Sequence, residues 1–241
     1  MLHKTKGIVL NTIKYGETSL IAKIYTEQFG LQSYIINGVR TARSKNKASN
    51  LQPLCLLDLV VYHKENKDLQ RISELKNDFI FRSIPFDVAK GSISLFIIEM
   101  LGRCVVEEDS NPEEFEFIYQ SVKYLDQSVE SVSNFHLSFM IHLTGYLGFQ
   151  LQLGSEKNTQ YFDLMEGQFC NEQPDHNYSL DGRLPKLLLD LLSCPLSRSH
   201  EIVMSGADRR GLLNGLITYY RLHLEQFGKL KSPEVLQEIL G

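Results

Sequence analysis

The chain lacks any apolar run approaching the roughly 20 residues needed to cross a bilayer, which excludes a helical membrane span. Cysteine is sparse, with four residues (Cys55, Cys104, Cys170 and Cys194) scattered over 241 positions. The first two lie in apolar surroundings, so the thiols read as small hydrophobes in a reduced, cytoplasmic protein. Met1 to Gly7 leads directly into a strand-like run, without the apolar stretch of a signal peptide. Catalytic signatures are missing as well: there is no GxGxxG, no GxxxxGK[ST], no HExxH and no GxSxG. No catalytic residue is assigned, no cofactor is implied, and the expectation is a non-enzyme.

What remains is an ordinary globular balance, 43% hydrophobic and 22% charged, enough for one large domain or two modest ones. The formal charge of −4 conceals an asymmetry. Residues 1–82 hold 13 basic against 7 acidic side chains, a net of +6, and the rest holds 12 against 22, a net of −10. A basic first third joined to an acidic remainder points to two units with different partners, a polyanion being the candidate for the first.

The first third reads as five short strands: Gly7–Thr12, Ser19–Thr26, Leu31–Asn37, Leu56–Tyr62 and Leu69–Leu75. In the second, Leu20, Ala22 and Ile24 share one face. Five strands and one long loop in so short a stretch suit a small closed β-barrel, which leaves no exposed sheet edge. From about Asn77 the apolar period changes to three and four residues. Ile93, Phe96, Ile97, Met100, Leu101 and Cys104 mark a first helix, and Asn111-Pro112 opens a second as N-cap and first helical position. Further helices are predicted over Ser133–Leu147, Leu184–Leu192, Asp208–Gln226 and Pro233–Leu240. Residues 150–182, rich in Gly, Asn, Gln and Asp, read as an irregular insertion. The domain expectation is 1–80 for the barrel and 81–241 for an all-α unit.

The chemistry lies in the long loop. Arg40, Arg43, Lys45 and Lys47 follow one another with no acid between them. On a loop between barrel strands such cations can track a phosphate backbone and release its condensed counterions, and Ser44 can add phosphate hydrogen bonds. Tyr34, with Tyr15, Tyr25 and Phe29, is placed to stack on unpaired bases, or alternatively to fill the barrel interior. In the helical part, Arg209, Arg210 and Arg221 lie on a helix that also carries Leu212, Leu213 and Leu216. A basic rim beside an apolar groove suits an acidic-hydrophobic peptide tail, and ordinary helix decoration is the alternative. His136 and His142, six apart, fall on different helix faces. Cys170-x5-His176 and Cys194-x5-His200 are spaced too widely for the usual structural zinc pairs, so no metal is assigned.

The runs KGIVLNTIKYGETSLIAKIYTEQFG and INGVRTARSKNKASNLQPL resemble the N-terminal domain of the RecO family, bacterial mediators of recombinational repair. Phe96 to Leu101 is similar to that family's first long helix, and Leu143-x-x-Tyr146-Leu147-Gly148-Phe149 to the end of its central one. Tyr219 to Leu224 and Leu230 to Leu236 are similar to its C-terminus, so the likeness covers nearly the whole chain in order. The resemblance implies an α+β protein with an N-terminal OB-fold barrel, followed by a helical domain. It also implies binding to single- and double-stranded DNA, strand annealing, and help to RecA in loading on single strands. The implied partners are RecR and the acidic C-terminal tail of single-stranded DNA-binding protein, in a bacterial, nucleoid-associated setting. By position, Arg40, Arg43, Lys45 and Lys47 fall in the family's basic barrel loop. Many relatives carry a paired CxxC zinc module, but here Cys170 stands alone with Gln173 where its partner would be, which argues against the metal. Two other readings stay open: an OB-fold that binds RNA, and a protein-interaction scaffold without direct DNA binding.

Overall fold

The computed structural model describes residues 1–39, 48–105, 110–153 and 160–240. The N-terminal part is a closed barrel of β1 (Leu2–Tyr15), β2 (Ser19–Thr26), β3 (Gly30–Ile36), β4 (Leu56–Tyr62) and β5 (Leu69–Phe79). The strands run in the order β1-β2-β3-β5-β4, with β4 returning to β1, the arrangement of an OB-fold. Strand β1 is longer than alternation alone predicts, because it is shared. Its first half pairs with β4, from Leu2↔Tyr62 to Ile8↔Leu56, and its second half with β2, from Gly7↔Thr26 to Tyr15↔Ser19. A register shift between Val9 and Asn11 bends the strand between its two partners. Gly7 sits where the strands approach most closely: a Cβ there would lie 2.7 Å from Ile24 Cγ2 and 2.8 Å from Leu59 Cδ1. The β2–β3 turn needs a left-handed residue, and Gly30 supplies it at φ +59°.

Leu20, Ala22 and Ile24 point into the barrel core as their alternation predicts, joined by Val9, Ile36, Leu57, Leu59 and Val61. Tyr34 also lies in this core with no exposed surface, so its expected role in stacking on bases is corrected. Paired with Ala22 across the sheet, it faces the interior, where a five-stranded barrel needs a large side chain. Burial pushes the phenol pKa well up, an effect the neighbouring Thr26 hydroxyl offsets only in part. Tyr25 is covered from the other side by Phe115, with ring centroids 5.7 Å apart.

The chain divides into two compact units, 1–82 with 105–123, and 83–104 with 124–241. The barrel unit therefore takes in part of α2 (Pro112–Gln127), a segment whose period assigns it to the helices. Side chains explain this. Phe115 covers Tyr25, the Tyr119 hydroxyl donates to Asp78, and Lys6 lies 4.8 Å over the Tyr119 ring. Asn111 caps the helix as expected, its side-chain oxygen accepting from Glu114 N–H at 3.1 Å.

The second unit holds α1 (Val88–Cys104), α3 (Phe135–Tyr146), α4 (Leu184–Ser193), α5 (Gly206–His223) and α6 (Ser232–Leu240). Helix α5 starts earlier than predicted because Ser205 is its N-cap and Asp208 closes a capping box on it. The expected irregular insertion is corrected in part: its described residues form a small antiparallel sheet of β6 (Tyr161–Asp163), β7 (Gln168–Cys170) and β8 (Ser179–Leu180). Strands of two or three residues leave no readable period. They are held by Phe162 against Phe169 at 4.7 Å and by the Asp163 carboxylate, which accepts from Met165 and Glu166 N–H and lies 3.3 Å from His176.

Two buried groups define how this core responds to change. Tyr34→Ala is expected to leave a cavity and cost about 3–5 kcal/mol in urea denaturation, while Tyr34→Phe stays within about 1 kcal/mol. An unchanged urea midpoint in Tyr34→Ala would show that the ring is not core. His136 on α3 is fully buried against Phe96, and burial, aided by the Arg209 charge, lowers its pKa to about 3. The folded protein thus keeps this imidazole neutral where the unfolded chain binds a proton. Its contribution to stability is complete above about pH 6.5 and falls between there and about pH 3, by up to about 1.4 kcal/mol per pH unit. His136→Leu should lose less stability than the parent between pH 7 and pH 4.5, and parallel pH profiles would refute the assignment.

Candidate nucleic-acid interface

Side chains that face one another across strands project from the same side of a sheet. On the outside of β1, β2, β3 and β5 this builds two rows. One runs Asn11, Lys23, Ser33 and Leu69, and the other Ile13, Ile21, Ile35 and Arg71. Ile13 is 55% exposed and Tyr15, at the end of β1, is 52% exposed. Lys23 and Arg71 are exposed too, as is Lys14 at the end of β1, which pairs with Leu20 and so projects from the other side of the sheet. Among the described residues none of these three cations enters an ion pair. The result is a shallow face of aliphatic side chains and free positive charge, which suits phosphates and unpaired bases together.

The β3–β4 connection leaves the edge of this face. Ser19 Oγ donates to Asn37 Oδ1 at 3.2 Å, tying the start of β2 to the end of β3. Gly38 then turns the chain at φ +71°, and Val39 returns to the core, 3% exposed. On the far side a short 3-10 turn, Ala48–Leu51, brings Leu51 back at 1% exposure. Leu54 adopts φ +66°, unusual for leucine, and its N–H donates to Val9 O at 2.7 Å, while Val9 N–H donates to Cys55 O. The strain at Leu54 is thus matched to the β1 bulge. Arg40, Arg43, Ser44, Lys45 and Lys47 lie outside the described residues, but both feet of that stretch, Val39 and Leu51, are set in the core.

Charge on the opposite side of the barrel is arranged differently. A cleft of about 560 Å³ is lined by Lys4, Lys6, Asp58, Glu74 and Lys76. Its register places Lys6 beside Asp58 and Asp58 beside Lys76, with Lys76 3.1 Å from Asp58. Opposite signs alternate there, so the cleft offers a polyanion little net attraction.

One cluster escaped the sequence reading. His3 on β1, Phe29 before β3 and His63 after β4 meet at one end of the barrel. Nothing in their spacing announces this, because only barrel closure brings the start of β1 beside the end of β4. Burial, and then the charge of His3, lower the pKa of His63 and favour the neutral ring.

In the helical unit the three arginines separate. Arg209 Nε donates to Leu240 O at 3.0 Å and its Nη1 to Met204 O at 3.1 Å, so this guanidinium ties the end of α6 to the segment before α5. Arg221 donates to Gly228 O. Arg210 is exposed and lines a shallow depression with Arg209, Leu213, Leu236 and Leu240. Among the described residues no three His, Cys, Asp or Glu side chains are grouped to hold a metal ion, and no helix is long and apolar enough to cross a membrane.

Comparison with known proteins agrees with this architecture. Residues 1–77 match the family model for the recombination protein O N terminal, and residues 85–234 that for its C terminal. A DNA repair protein RecO from Christiangramia forsetii is 36% identical over 242 residues, covering all of both chains. One from Phocaeicola vulgatus is 34% identical with the same coverage. A third, from Flavobacterium psychrophilum, is 36% identical over 99% of each chain.

Proposed function

The chain belongs to the RecO family of DNA repair proteins, and from that premise we propose that it is a non-enzymatic mediator that holds single-stranded DNA on its barrel and promotes pairing with a complement. The observation that carries this reading is the run Arg40, Arg43, Lys45 and Lys47 with no acid among them, in a stretch flanked by the core residues Val39 and Leu51, in a barrel whose outer face bears Lys23 and Arg71. Cations on a loop held at both ends lower phosphate repulsion along one strand without committing it to a sequence. Two strands brought together on such a surface anneal because the protein takes over part of the screening that counterions otherwise supply. Help to RecA in loading on coated strands, and binding to RecR, belong to the same proposal.

The acidic tail of single-stranded DNA-binding protein is assigned to the depression around Arg210. Arg209 is occupied by backbone carbonyls and Arg221 by Gly228, which leaves Arg210 as the cation of the three offered to a carboxylate beside Leu213, Leu236 and Leu240. Leucines flanked by one cation match a peptide end that is both apolar and acidic.

Exchange of Arg40, Arg43, Lys45 and Lys47 for Ala is expected to reduce the log–log salt slope of single-strand binding by about 3, each lost phosphate contact counting for about 0.7. Fluorescence anisotropy of a labelled oligonucleotide over a salt series measures it, with an annealing assay in parallel. An unchanged slope would remove the loop from the interface, and preferential competition by single-stranded RNA would redirect the proposal to RNA. Arg210→Ala should weaken capture of an acidic-hydrophobic tail peptide several-fold while DNA affinity stays constant. Equal peptide binding by parent and variant would move the tail elsewhere.

A further inference from the structure

At the end of the barrel where β4 turns into β5, Phe29 packs against the core, and the His63 ring lies over it at 4.0 Å between centroids with 14° between planes. His3 meets Phe29 edge-on at 5.3 Å. Polar struts hold this group in place. The Gln70 carboxamide oxygen accepts from Lys64 N–H at 3.1 Å, and its nitrogen donates to Lys64 O and Lys67 O, both at 2.7 Å. Gln32 Nε2 donates to Phe29 O at 2.8 Å. The loop and the stacked pair are therefore set before any ligand arrives, which lowers the ordering cost of binding.

Two clefts, of about 550 and 280 Å³, open onto this stack, and both are bordered by Phe29, His63, Glu65 and Lys67. Lys64 borders the larger one. A flat aromatic shelf with lysines at the rim suits a nucleobase attached to a phosphate chain. Glu65 beside the shelf disfavours a phosphate on the stack itself and leaves the phosphates to the lysines.

We propose that the His63–Phe29 stack, bounded by His3, Lys64 and Lys67, is a seat for one unpaired nucleobase of the bound single strand. The inference rests on the DNA-binding reading given above and adds a fixed position along the strand. A seated base is withdrawn from pairing while its neighbours remain open, so the seat sets the register of the strand on the barrel.

The test uses the full chain and single-stranded oligonucleotides carrying 2-aminopurine or an abasic site at successive positions. With the parent protein, 2-aminopurine fluorescence should fall sharply at one position, and an abasic site there should weaken binding about tenfold, in the range of base–aromatic stacking. His63→Ala should abolish both effects, whereas His63→Phe, which keeps a stacking ring, should retain the quench. Urea midpoints of the two variants separate loss of the seat from loss of the fold. Steep salt-dependent binding by the parent with no position-dependent quench, and equal affinity in a folded His63→Ala, would overturn the seat and leave the DNA-binding reading intact. No binding of any oligonucleotide by the parent at low salt would overturn both.

Discussion

The arrangement of the barrel depends on β1 serving two neighbours at once. A straight strand cannot keep a good ladder with β4 along one half and with β2 along the other while the sheet closes on itself, and the register shift between Val9 and Asn11 resolves the conflict. The solution has consequences elsewhere. The backbone of Val9 at the bulge is satisfied by Leu54 and Cys55, so the chain beyond the basic loop must return to that point, and Leu54 accepts a left-handed conformation to do so. The basic stretch is thereby tied at its far end to the element that closes the barrel. Closure also brings the start of β1 to the end of β4, which is why His3 and His63 share one cluster.

A small barrel consumes its large side chains. Tyr25 and Tyr34 fill space inside the barrel and beneath α2, leaving Tyr15 and the half-buried Phe29 as the aromatics of the first three strands and their turns that a ligand can reach. The charges are sorted in a similar way. Where β1, β4 and β5 meet, lysines alternate with Asp58 and Glu74 and largely cancel. Across β1, β2, β3 and β5 the cations stand among isoleucines and a serine. The two outer surfaces differ in whether an acid occupies the next strand at the same level.

Much of this was legible in the sequence wherever a periodic pattern was long enough to read. Leu20, Ala22 and Ile24 identify the inner face of β2, and Asn111-Pro112 marks the start of α2. The basic run stands out by composition alone. Tyr34 was ambiguous because its strand has apolar or aromatic residues on both faces, and only the pairing with Ala22 decides which way it points. The sheet in the insertion was hidden because its strands are shorter than any period. The assignment of 105–123 to the barrel unit was hidden for another reason: helical periodicity reports which residues are apolar, not which body they pack on. Arg209 and Arg221 read as free cations on a helix, since bonds to carbonyls such as Leu240 O and Gly228 O leave no trace in residue order.

On the proposed reading, the split of charge along the chain is part of how the strand is confined. Residues 1–82 carry +6, but residues 105–123 bring a net −5 into the barrel unit, so its positive charge is confined to part of its surface, while the second unit carries −5 and repels a polyanion. A uniformly basic protein of this size would hold DNA over its whole surface, and a strand spread in that way is poorly placed to meet its complement. Restricting attraction to part of the barrel keeps the contact short and lets it be released when the pairing of two strands competes for the same phosphates. The acidic unit then contributes to specificity by what it excludes. Its apolar and arginine-lined depression is left for a ligand that carries its negative charge at one end rather than along its length.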